Sequence, residues 1–87
     1  KENKTEEEAI LARLPEGIYW ALTDFRRDYL DMVRVRDAHP ADMFLKNEVS
    51  VIYWSVRAYC SALEDSKLIS LHENVKLRDW TLRKEDE

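Results

Sequence analysis

The segment from Val49 to Leu63 constrains this chain most, because it is apolar on more than one face. Val49, Ile52, Val56, Tyr59 and Leu63 follow the three-and-four spacing that lines one side of a helix. Val51, Tyr53, Trp54 and Cys60 fall off that stripe, over an arc too wide for a single neighbour. A helix that is apolar nearly all round packs against partners on several sides. The segment therefore points to a helical assembly module, some of whose partners are other chains.

The rest of the composition agrees with long helices and short connections. The 87 residues are 45% hydrophobic and 37% charged, with one Gly and two Pro, so turn formers are scarce and helix formers abundant. The Leu, Ile, Val and Trp content is too high for a disordered chain. A formal net charge of -4 argues against a dedicated nucleic-acid binder, which carries a basic face. The single cysteine, Cys60, has no partner for an internal disulfide, which points to a reducing compartment. No apolar run approaches the roughly 20 residues that span a bilayer, and no signal peptide precedes the charged start. The expectation is a soluble, intracellular protein, cytoplasmic or, in a eukaryote, nuclear, with no membrane partner.

Periodicity and punctuation divide the chain into helices. Thr5 and Glu8 have capping-box spacing, which opens a short helix over 6–13 with Ile10, Leu11 and Leu14 as its apolar contacts. Pro15 ends it and suits the first turn of a second helix over 16–37. Ile18, Leu22, Phe25, Tyr29 and Met32 form that helix's stripe, with charged residues largely outside it. His39-Pro40 breaks the chain, because the residue before proline disfavours the helical region. A third and longest helix is expected over 41–66, with a kink or break where the phase slips at Asp65-Ser66. The remainder, 67–87, reads as a short docked helix or a tail, with Val75, Leu77, Trp80 and Leu82 as anchors. The fold class is all-α: a helical hairpin of two long helices with short flanking elements, one domain over 1–87. A buried Trp hides roughly 150–250 Å². Three Trp and four Tyr exceed what a bare hairpin can hide, so either the flanks fold back or another subunit completes a small bundle.

One spacing resembles catalytic chemistry. Arg34 and His39 are five positions apart, as in helical ribonucleases of the HEPN type, where the Arg would stabilise phosphate charge and the His would act as acid or base. Here Val35 takes the place of the usual polar residue, and Pro40 follows the His. The plainer reading is a helix C-terminus with a favourable cation cluster. His39, His72 and Cys60 are too scattered for a zinc site, and Asp24, Asp28 and Asp31 read as a charged helix surface. No cofactor and no metal are expected. Interleaving of Arg26, Arg27, Arg34 and Arg36 with aspartates suits a solvated ion-pair lattice better than a nucleic-acid groove.

The surplus aromatics give the sharper expectation. Tyr19 and Trp20 on the second helix, with Tyr53, Trp54 and Arg57 on the third, combine residue types enriched at interface hot spots, and form the candidate partner interface. The competing role is filling the domain's own core, towards which Tyr19 and Tyr53 lean more than the two Trp.

The order of features also resembles a family. Leu14-Pro15-Glu16-Gly17-Ile18-Tyr19 at a helix start is similar to the opening of archaeal GINS subunits, and Asn47-Glu48, Arg57 and Lys67-Leu68-Ile69 follow in the order of that family's later helix. The likeness runs from about Leu11 to Leu71. Ile18 stands where the family has an aromatic, and the small β-rich domain that would follow is not in this chain. The resemblance implies a non-catalytic scaffold in DNA replication, its helical domain packed against sister subunits beside the replicative helicase. The alternatives are the small ribonuclease using Arg34 and His39, and a helical adaptor of phage or toxin-antitoxin type. The expected partners are therefore further copies of the chain or sister helical subunits.

Overall fold

Each helix starts and stops where a particular side chain supplies or removes a backbone hydrogen bond. The computed structural model describes residues 5–83. The charged residues at the start and the end of the sequence, 1–4 and 84–87, lie outside the described residues. Helix α1 spans Glu6–Arg13, α2 Glu16–Ala38, α3 Met43–Asp65 and α4 Leu71–Leu82. No strand occurs among the described residues, and the fold is a small all-α bundle.

At the start of α1 the Thr5 hydroxyl accepts from the Glu8 amide at 3.1 Å, and the Glu8 carboxylate accepts from the Thr5 amide at 3.2 Å. Leu14, forced out of the helical region by the proline after it, leaves α1 in an extended conformation. Pro15 then caps α2, its carbonyl accepting from the Ile18 and Tyr19 amides. Helix α2 ends at His39, again the residue before a proline. Helix α3 begins at Met43 rather than Ala41 because the Asp42 carboxylate accepts from the Phe44 and Leu45 amides, at 2.9 and 3.4 Å. After α3 the Lys67 amide donates to Glu64 and the Leu68 amide to Leu63, closing a Schellman motif with Lys67 in the left-handed region at φ 68°. A second capping box opens α4, where Ser70 and Glu73 exchange backbone and side-chain bonds.

Helices α2 and α3 form an antiparallel hairpin whose register is marked by the edge-on contact of Phe25 with Tyr59, 5.8 Å between ring centres. The flanking elements fold back over its open end. The main core joins Ile10, Leu11 and Leu14 to Leu22, Val56, Cys60, Leu63, Ile69 and Leu77. Leu22, Val56, Cys60 and Leu77 are fully buried. Trp80 and Leu82 pack against the same cluster, so one of the three tryptophans is covered within the chain.

Polar contacts fasten the rim. Glu73 pairs with Arg13, and Glu6 accepts from His72 at 2.7 Å with Lys76 at 3.5 Å. The bond from His72 holds the Glu6 carboxyl below its usual range. Arg26 donates to the Trp80 carbonyl at 2.7 Å and lies 4.6 Å from that indole's centre, closing the exposed end of α4.

Arg26 meets Trp80 of α4, and beyond it the last dozen residues of α2 run on alongside α3. This arm extends for about 18 Å at 1.5 Å per residue. Val33 and Val49 are buried there, outside the main cluster. The molecule measures 40 × 35 × 21 Å, about two helix diameters in its thinnest direction.

Candidate interaction surface

Helical geometry decides which aromatics the bundle leaves open. Trp20 lies two residues from both Ile18 and Leu22, and Trp54 two residues from both Ile52 and Val56, roughly 200° around the helix from each. Both tryptophans therefore point away from the faces that pack. Trp20 is 53% exposed and Trp54 61%. Tyr19 is exposed too, at variance with the inward role its position suggests, while Tyr53 is half-buried. Cys60 departs in the other direction: off the main stripe in sequence, it is fully buried in the core. It shares the core cluster with Leu77 of α4, and burial pushes its thiol pKa up to about 11.

The expected interface residues fall into two patches rather than one. On α2, Tyr19 and Trp20 meet edge to face at 5.0 Å, and the Trp20 indole N–H donates to Glu16 at 3.2 Å. On α3, Tyr53 and Trp54 meet at 5.2 Å and nearly perpendicular. The Arg57 guanidinium lies 5.2 Å from the Trp54 ring centre and 5.8 Å from that of Tyr53, whose hydroxyl it reaches at 3.5 Å. The Phe25–Tyr59 register sets Trp20 level with residue 64, about ten residues or 15 Å along α3 from Trp54.

The α3 patch extends beyond the residues the sequence singled out. Phe44 is 66% exposed, Met43 63% and Val51 58%. Asn47, Ser50, Val51, Trp54, Ser55 and Ala58 line a shallow open groove on the same side. Phe44 escapes a reading that starts from the apolar segment at Val49, because Lys46, Asn47 and Glu48 separate the two. Its signal is the continuous three-and-four spacing 44, 47, 51, 54 and 58, a second stripe on the helix face opposite the packed one.

Arg34 and His39 are not brought to one site. Arg34 pairs with Asp31 at 3.2 Å and lines a depression with Thr23, Arg26, Arg27, Leu30 and Asp31. His39 caps α2 through its backbone amide and borders a different depression, with Pro40, Ala41 and Asp42. Among the described residues no group of three or more His, Cys, Asp or Glu side chains is placed to hold a metal ion, and no helix is long and apolar enough to cross a membrane.

Comparisons with protein-family models, with curated proteins and with solved structures returned no match to this chain.

Proposed function

We propose that this chain is a non-catalytic helical module for protein–protein assembly. The observation that carries the reading is the outward face of α3, where Phe44, Val51 and Trp54 are all more than half exposed. An aromatic stripe left in water is costly in isolation, whereas Trp, Tyr and Arg together supply the large, rigid contact area on which interfaces depend. Trp54, with Arg57 stacked on it and Tyr53 beside it, is the anchor. Trp20 and Tyr19 on α2 form a second contact, far enough away to engage a different neighbour.

A more specific form of this reading, a GINS-like scaffold subunit in DNA replication, rests on the order of residues from Leu14 to Ile69. It assigns the same outward faces to sister subunits.

The test is light scattering over a concentration series for the native chain, Trp54→Glu and Trp20→Glu. Both positions are exposed, so helicity and melting temperature stay within the narrow range of surface substitutions, about 0.5 kcal/mol. The native mass exceeds the 10.4 kDa of one chain, and the charge at position 54 lowers it. A native mass of 10.4 kDa at every concentration overturns the assembly reading, and an oligomer unchanged in both variants overturns the assignment of these faces to it.

A further inference from the structure

The outer stripe of α3 has a property that the assembly reading alone does not require. Its members, Phe44, Asn47, Val51, Trp54, Ala58 and Ser61, alternate steps of three and four without interruption, and every one is exposed. That is the 3.5-residue spacing of a coiled-coil seam, in which knobs of one helix enter holes of another. None of the six carries a charge, and Ser50 and Ser55 beside them are small and neutral too.

The seam is also complementary to itself when run backwards. A two-fold axis midway between Val51 and Trp54 sets Val51 against Trp54, Asn47 against Ala58 and Phe44 against Ser61 of a second copy. Each large side chain faces a smaller one, so the layers differ less in volume than they do when like meets like. In a parallel arrangement Phe44 meets Phe44 and Trp54 meets Trp54, while Ala58 and Ser61 meet themselves and leave gaps. From the structure we infer that this face binds a second copy of the chain, α3 against α3 in antiparallel orientation, an inference that rests on the assembly reading above.

Area supports this occupant. The exposed parts of Phe44 and Trp54 amount to about 300 Å² per copy on the usual aromatic areas. Two copies with the rest of the seam approach the roughly 1,000 Å² at which specific interfaces begin. The dimer is therefore small and exchanges with monomer as concentration falls. The molecule's thickness of two helices leaves this side of α3 open along the groove from Asn47 to Ala58.

Cysteine cross-linking reads the register. Chains carrying Asn47→Cys are mixed with chains carrying Ala58→Cys in oxidised glutathione. The native thiol, fully buried, stays out of the reaction. Antiparallel pairing brings position 47 of one copy against 58 of the other, and the mixed disulfide dimer forms. Either variant alone stays uncross-linked, because two copies of position 58 lie about 16 Å apart along the axis, beyond the roughly 7 Å a disulfide spans. Circular dichroism confirms that both exposed substitutions leave the helices intact. Efficient self-cross-linking of each variant alone overturns the antiparallel pairing. A Trp54-dependent oligomer without the mixed disulfide overturns this pairing while the assembly reading stands. A native chain that stays at 10.4 kDa at every concentration overturns both.

Discussion

Lys67 holds a backbone conformation that its side chain disfavours. It occupies the left-handed position of the Schellman motif after α3, where Gly is the usual residue because a Cβ there crowds the carbonyl. The amides of Lys67 and Leu68 close on Glu64 and Leu63, and the turn delivers the next residue, Ile69, to the core. Lys67→Gly removes the crowding at a modest entropic cost in the unfolded chain. The expected gain is about 0.5–1 kcal/mol, seen as a melting temperature several degrees higher.

Cys60 supplies a second prediction at the same scale. Its folded pKa is raised above the ordinary 9.0 to about 11 by burial, against a smaller opposing pull from Arg78. The folded thiol keeps a proton that the unfolded thiol gives up, so the stabilisation is complete below pH 9 and disappears as pH rises towards 11. A shift of this size corresponds to about 2–3 kcal/mol. Urea midpoints at pH 8 and pH 11 measure it, and Cys60→Ala flattens the fall. Tyr59, raised by burial and by the neighbouring Cys60 thiolate, adds a loss in the same direction, of which the Ala variant retains the burial part.

At the scale of elements, α4 is the helix whose position depends most on its ends. It contributes Leu77 to the core and is tied to its neighbours by Glu73–Arg13, Asn74–Glu64 and Arg26–Trp80. Its capping box joins Ser70 to Glu73, the same Glu that pairs with α1, so one side chain both starts the helix and docks it. Ser70→Ala is expected to cost about 1 kcal/mol, and to lower the denaturation midpoint without changing its slope. The existence of α4 follows in part from its apolar anchors, Leu77, Trp80 and Leu82. Val75, another expected anchor, is 40% exposed, while Asn74 and Thr81 are buried. Thr81 is tolerated inside because its hydroxyl donates to the Leu77 carbonyl at 2.7 Å. A polarity pattern cannot reveal such residues, since the Thr81 hydroxyl and the Asn74 amide N–H, which donates to Glu64, are accommodated only once their partners are in place.

For the whole molecule the decisive feature is the uneven depth of the hairpin. Around Val56 to Leu63 four elements converge, whereas the arm from Leu30 to Ser50 holds together chiefly through Val33 and Val49 between two helices. Amide hydrogen exchange is therefore expected to show the arm opening at a lower free energy than the α3 segment beneath α4, as a unit distinct from global unfolding.

The two long helices, their hinge at His39-Pro40 and the all-α class were present in the sequence, because helical periodicity, proline and caps act within a few residues of one another. Both apolar faces of α3 were present as well, in the stripe of Val49, Ile52, Val56 and Leu63 and in the displaced Val51 and Trp54. The tertiary structure alone decided which face is covered. Spacing fixes only the angle of each side chain about its own axis. Whether that angle meets a neighbour depends on where α1 and α4, distant in sequence, come to rest. Their docking took Cys60 and Leu77 into the core, packed Trp80 against it, and left Trp20, Phe44 and Trp54 exposed among the described residues.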